Sequence, residues 1–380
     1  MTEQPPVQQP MHERSATGNA TSSTPLAADH EVAGFFRSAV GSMQAYVPGE
    51  QPQHGKFLKL NTNENPYPPP ASVVAAIADT ASGKLERYPD PLGTAFRIQA
   101  ASVLGIDPDW ILCGNGSDDI LTIVTRALVG EGDRLRLPYP SYILYRTLAQ
   151  LQAADWEEVH FRPDFSLDDA FAKSAERLKL VFLPNPNSPS GTMIAPAEIA
   201  ALADRLPCPL LVDEAYVDFA DSHCIDLVKQ NPRIMVSRTL SKSYALAGLR
   251  FGYLVAQPAM VRMFRKVKDS YNCDALSLAG ATAAMANQKW LAENRAKIIA
   301  TRTSMAERIA KLDFTVTKSH ANFIWCTSKI HSAQRLYEGL KAQKVLVRYM
   351  NYSGWGDGLR ISVGTDEGAR AALSIMESLL

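Results

Sequence analysis

The chain has 380 residues, 46% hydrophobic and 21% charged, which suits an ordinary globular enzyme with two or three domains' worth of core. Lys plus Arg and Asp plus Glu each number 39, so the formal charge is zero. That balance argues against a nucleic-acid or anionic-membrane partner, whose polyanionic surface calls for a basic excess. The five cysteines (Cys113, Cys208, Cys224, Cys273, Cys326) are scattered and contain no C-x-x-C pair. They read as reduced, buried thiols of a cytoplasmic protein, not as a disulfide framework or a metal site.

Residues 1–30 are rich in Pro, Gln, Ser, Thr and Ala and lack an apolar h-region. They read as a disordered tail, not a secretory signal or a membrane anchor. From Ala71 the chain alternates helix-period and strand-like segments. Ala71–Ala81 and Pro91–Leu104 are predicted helices, Trp110–Cys113 a strand, and Asp118–Val129 an amphipathic helix with Ile120, Leu121, Val124 and Leu128 on one face. Apolar runs follow at Arg134–Leu137, Leu178–Leu183, Leu210–Val212, Ile234–Ser237 and Phe251–Val255. Continuous apolar strands separated by helices predict an α/β domain with a mostly parallel sheet covered on both faces. Beyond Asn272 the pattern becomes that of a smaller α+β unit. One long helical region is expected over Leu276–Leu312, followed by short strands near Phe314–Thr317, Asn322–Thr327, Lys344–Val347 and Leu359–Val363. Helices are expected at His331–Gln343 and Asp366–Leu379.

The chemistry concentrates after the Ile234–Ser237 run, in Arg238-Thr239-Leu240-Ser241-Lys242-Ser243, with Arg250 eight residues beyond the lysine. Thr239, Ser241 and Arg250 make a plausible phosphate cradle, and Lys242 is placed for Schiff-base chemistry. Alone, a Ser-Lys pair in a loop is more often solvated surface. Asp213 ends another apolar strand, where α/β sheets place ligands, and a carboxylate there could keep a pyridine nitrogen protonated. Tyr216 follows three residues on; the plain alternative for Asp213 is a helix N-cap. The turn Cys113-Gly114-Asn115-Gly116-Ser117-Asp118-Asp119 opens a helix whose free N–H groups can meet a phosphate.

Seven motifs then occur in order: Asn61-Thr62-Asn63-Glu64-Asn65-Pro66, Arg87-Tyr88-Pro89, Gly116-Ser117-Asp118, Pro140-Ser141-Tyr142, Asp213-Glu214-Ala215-Tyr216, Thr239-Leu240-Ser241-Lys242 and Leu359-Arg360-Ile361-Ser362-Val363-Gly364. Together they resemble the histidinol-phosphate aminotransferase family of fold-type I enzymes, which use pyridoxal 5'-phosphate (PLP), over Tyr46 to Leu380. The resemblance implies a large PLP-binding domain with a seven-stranded, mostly parallel sheet over 71–272 and a smaller α+β domain over 273–380. It also implies an arm over 31–70, associated with the small domain and a dimer partner.

By the same resemblance Lys242 is the Schiff-base lysine and proton shuttle, Asp213 pairs with the pyridinium nitrogen, and Tyr216 meets the phenolic oxygen. Tyr142 stacks on the ring, and Ser117, Asp118, Thr239, Ser241 and Arg250 hold the phosphate. Tyr88 reaches the other subunit's cofactor in a homodimer. Arg360 clamps an α-carboxylate, and Arg348 with Tyr46 meets the distal anion of a small-molecule substrate. The family's usual Asn-Asn-Pro-Thr-Gly is here Asn187-Ser188-Pro189-Ser190-Gly191, so the phenolic-oxygen contact is expected from Asn187, with Ser188 or a water as the alternatives. The implied reaction is histidinol phosphate with 2-oxoglutarate. Aromatic amino acid transamination is the nearest alternative, and a PLP-sensing regulator a remote one.

Overall fold

The computed structural model describes residues 32, 34–43, 49–52, 54–83 and 85–380. The tail expected over 1–30 lies outside them, as does Tyr46. Strand β1 (Leu58–Lys59) precedes helices α1 (Ala71–Ala81) and α2 (Thr94–Leu104). The start of α2 falls three residues later than the sequence suggests. Asp90 accepts from the backbone N–H groups of Leu92 and Thr94 at 2.9 and 2.6 Å, and Gly93 takes φ 60°, so the chain turns before it coils.

Next come β2 (Ile111–Gly114), α3 (Ser117–Leu128), β3 (Arg134–Tyr139), α4 (Leu144–Leu151), β4 (Asp155–His160), β5 (Leu178–Pro184) and α5 (Pro196–Arg205). They are followed by β6 (Leu210–Asp213), α6 (Ile225–Gln230), β7 (Ile234–Thr239), β8 (Gly252–Val255) and α7 (Pro258–Phe264). The seven strands stand in the order β2-β8-β7-β6-β5-β3-β4. All neighbouring pairs are parallel except those of β8, which runs antiparallel to both β2 and β7. The interior strands are mostly apolar because helices cover both faces, giving two cores on opposite sides of the sheet. One holds Val181, Leu183, Val212 and Val236; the other holds Leu180, Phe182, Leu211 and Met235.

Two helices follow, α8 (Ala275–Ala286) and α9 (Gln288–Ala310), where one long helical region is expected. The break is Asn287, whose side chain accepts from the Trp290 backbone N–H at 3.2 Å and so caps the second helix. Ala281, Ala284 and Met285 of α8 join the large core, while Ile298, Met305 and Ile309 of α9 join a separate, smaller one. The smaller unit adds β9 (Thr315–Val316), β10 (Phe323–Thr327), α10 (Ala333–Ala342), β11 (Val345–Leu346), β12 (Arg348–Tyr352), β13 (Gly356–Ser362) and α11 (Asp366–Ser378). Its antiparallel sheet runs β12-β13-β10-β9, and β1 pairs in parallel with β11. Residues far apart in sequence are thereby joined: Leu60, just past β1, is buried in the small core.

Candidate active site

Parallel strands bring their carboxyl ends to one edge of the sheet, and the residues singled out from the sequence gather along that edge. The pairing sets Pro184 beside Asp213 and Asp213 beside Ser237, two residues before the end of β7. Beyond β7 the chain forms a tight loop. Its backbone is held from outside: Asn65 donates from Nδ2 to the carbonyls of Lys242 and Ser243 at 3.2 and 2.9 Å, and Ser243 donates to Asp218. Half-buried Lys242 points its Nζ to the Thr62 carbonyl at 3.1 Å and lies 5.9 Å from the centre of the Tyr216 ring. The Tyr216 hydroxyl accepts from Asn63 Nδ2 at 3.0 Å.

Asp213 is buried, and its two carboxylate oxygens accept from the hydroxyls of Tyr145 (2.8 Å) and Ser237 (3.1 Å). Burial pushes its carboxyl up to about 6, although both hydroxyls pull the other way. A buried carboxylate met by neutral hydroxyls has an acceptor's geometry for a cation. Neither Tyr145 nor Ser237 was singled out from the sequence. Tyr145 lies three residues after Tyr142, and the two rings meet edge to face at 5.6 Å.

The residues expected to hold a phosphate gather at the amino end of α3. Gly116 precedes the helix, and no side chain caps it. A Cβ on Gly116 would come within 2.7 Å of Arg250 Nη2, so glycine is what lets the guanidinium cross this turn. Arg250, itself at φ 53°, donates to Ser241 Oγ at 3.2 Å and to Asp118 Oδ2 at 3.4 Å. Thr239 Oγ1 donates to Ser241 Oγ at 3.0 Å, and Tyr142 donates to Asp118 Oδ1 at 3.3 Å. Ser117, Asp118, Tyr142, Thr239, Ser241 and Arg250 are thus drawn into one neighbourhood.

Beneath the site, the neighbours of Asp213 and Thr239 form an ion pair. Glu214 and Arg238 meet at 2.8 Å, both buried, and Glu214 also accepts from the Cys224 backbone N–H. Burial works against the Arg238 charge, but Glu214 beside it outweighs that and holds the guanidinium's pKa above its usual value. Removing one partner of such a pair strands the other charge. Glu214→Gln is therefore expected to destabilise the fold by about 3–5 kcal/mol, read as a lower urea midpoint at unchanged slope.

On the facing small unit, Arg348 and Arg360 are directly opposed in the pairing of β12 with β13. Arg360 donates to Ser188 Oγ at 2.9 Å and to the Asn61 carbonyl at 3.1 Å, with its Nε buried and unpartnered. The Arg348 Nη1 atom lies 3.8 Å from where a Cβ on Gly49 would stand. Asn187 is tied up by its own turn and by the turn after β3: its amide nitrogen donates to Ser190 Oγ and the Pro140 carbonyl, and its oxygen accepts from Ser141. Ser188, not Asn187, meets Arg360. Tyr88 is 80% exposed and stacks on Tyr271 with ring centres 4.4 Å apart, outside this cluster.

Residues 55–375 match the family described as aminotransferase class I and II. A histidinol-phosphate aminotransferase of Rhodopirellula baltica is 57% identical over 90% of this chain and 95% of its own length. Histidinol-phosphate aminotransferase 1 of Trichormus variabilis is 44% identical over 91% of this chain and 99% of its own. The structure of a histidinol-phosphate aminotransferase from Sinorhizobium meliloti in complex with pyridoxal-5'-phosphate superposes with a TM-score of 0.82. It shares 26% identity and covers 91% of this chain and 98% of that one. The chain belongs to the class I and II aminotransferases and, within them, to the histidinol-phosphate aminotransferase family.

Proposed function

We propose that this protein is a PLP-dependent transaminase that exchanges the amino group of histidinol phosphate with 2-oxoglutarate, giving imidazole-acetol phosphate and glutamate. The observation that carries the reading is the convergence of one amine, Lys242, one buried acid, Asp213, and one anion cradle at the carboxyl edge of a parallel sheet, faced by two arginines. The donor set fits PLP. The cradle suits its phosphate and Asp213 suits a pyridinium. Tyr142 lies between the cradle and the ring of Tyr145, where an aromatic cofactor can stack.

When bound, PLP supplies an aldehyde that condenses with amines and a pyridinium ring that absorbs the electron pair left on the substrate's α-carbon. Asp213 would hold the proton on the ring nitrogen. Lys242 would hold the cofactor's aldehyde through Nζ and would move the substrate's α-proton with the same amine. Tyr216 would meet the phenolic oxygen, with Ser188 in place of Asn187, whose amide is already engaged by Pro140, Ser141 and Ser190. Arg360 takes an α-carboxylate through a planar fork, and Arg348 with Tyr46 takes the distal anion, whether glutamate's side-chain carboxylate or the phosphate.

The assembly we infer is a homodimer of the cytoplasm. Tyr88 and Tyr271 are exposed aromatics, with Leu85, Leu92, Phe35 and Phe36 also exposed, as expected of a surface that a second copy covers. Tyr88 then reaches the partner's anion cradle. Among the described residues no helix is long and apolar enough to cross a membrane.

Side-by-side turnover of histidinol phosphate and phenylalanine, each with 2-oxoglutarate, tests the substrate; a preference for phenylalanine would favour the aromatic reading. Arg348→Ala is expected to lower kcat/KM for histidinol phosphate about 30- to 100-fold and for phenylalanine less than about threefold. Equal losses would remove Arg348 from substrate selection.

A further inference from the structure

The hairpin of β12 and β13 carries both arginines, and its tip reaches away from its own core. Trp355, at the turn, packs against the core of the large unit. Its indole N–H donates to His160 Nδ1 at 3.2 Å, and its ring lies 4.9 Å from that of Phe165. His160 ends the edge strand β4 and is paired in register with Tyr139, the last residue of β3. Tyr139 in turn meets Tyr352, at the end of β12, edge to face at 5.8 Å. Rings from both units therefore interlock at the tip of the hairpin.

Phe165 adds an independent sign that this contact is built. It sits at φ 64°, a left-handed conformation that is strained for a bulky L side chain. Such a residue persists only where its surroundings over-determine it. Here the ring is held between Phe161 (6.2 Å) and Trp355. On the other side, Trp355 stands between Gly354 and Gly356, at φ 77° and 86°, which let the turn present one large ring. Arg348 lies four residues from the end of β12, about 13 Å along the strand. Fixing the tip thus limits how far the hairpin, and both guanidinium groups with it, can swing.

We propose that Trp355, His160 and Phe165 form an aromatic latch that positions Arg348 and Arg360 for anionic substrate. Trp355 touches no reacting atom; it acts through the hairpin. The proposal rests on the reading of the two arginines as substrate anchors. With the latch open, only a fraction of molecules hold the arginines in place, and apparent affinity falls by that fraction. The chemistry at Lys242 is untouched.

In the cofactor-loaded full chain, Trp355→Ala and His160→Ala are expected to raise KM for histidinol phosphate and 2-oxoglutarate about five- to tenfold, with kcat within about twofold. Trp355→Phe, which keeps a ring against Phe165, should recover most of that loss. A second measurement needs no substrate. Chymotrypsin should cut the turn over 351–356 several-fold faster in His160→Ala than in the parent, with the cleavage site identified by mass spectrometry. A lower kcat at unchanged KM, faster cleavage with no change in KM, or a turn no more open in His160→Ala each overturns the latch. A parent enzyme inactive on histidinol phosphate defeats the substrate reading instead, and the cleavage comparison then decides the latch alone.

Discussion

Lys242→Ala is expected to lower the transamination rate by about 10,000-fold while leaving the fold intact. The side chain makes one hydrogen bond, to the Thr62 carbonyl, so little native structure depends on it. The loop backbone is fixed by Asn65 and by the Ser243–Asp218 contact, and neither involves the ammonium group. The variant should therefore unfold at a urea midpoint near that of the parent. Borohydride reduction of the cofactor-loaded parent should attach the label permanently to the peptide that contains residue 242, and the variant should take up none there. A variant that still turns over at a tenth of the parent rate, or a label mapped elsewhere, would remove Lys242 from the chemistry.

The same loop shows what a sequence can and cannot convey. Lys242 and Asp213 are legible because each follows an apolar run, and the carboxyl end of a buried parallel strand is where such sheets expose ligands. Strands β5, β6 and β7 are legible for the related reason that both of their faces are buried. Strand β4, Asp-Trp-Glu-Glu-Val-His, is not, since an edge strand half in water has no apolar pattern to read. The direction of β8 is not encoded in its apolar run either. The chain reverses there after Ala245 and Arg250, both in left-handed conformations. Tyr145 looks like one more aromatic on an amphipathic helix until tertiary packing sets its hydroxyl on Asp213. The hydrogen bonds that tie Asn187 to Pro140 and Ser141, and Ser188 to Arg360, likewise join groups from distant parts of the chain, which no local pattern announces. Trp355 carries no signal at all in the sequence, because a tryptophan between glycines has no period.

Asp213→Asn is expected to separate activity from stability in opposite directions. Burial lifts this carboxyl from its ordinary 3.8 to about 6, so the folded chain binds that proton more tightly than the unfolded one. The stabilisation it gives is complete below about pH 3.8 and is lost as pH rises through 6. Above that, the cofactor-free protein holds a buried negative charge at a cost of roughly 3 kcal/mol, taking 1.36 kcal/mol per pKa unit. An amide has no such charge, and the Tyr145 and Ser237 hydroxyls can donate to its oxygen or accept from its nitrogen. Cofactor-free Asp213→Asn should thus match the parent near pH 4 and exceed its stability by up to about 3 kcal/mol at pH 8, read as urea midpoints across that range. Transamination should nevertheless fall at least about 100-fold, since the amide cannot hold a proton on the ring nitrogen. A stability difference that stays flat from pH 4 to 8, or an amide variant weaker than the parent at pH 8, would mean that Asp213 does not carry an uncompensated charge awaiting a cation.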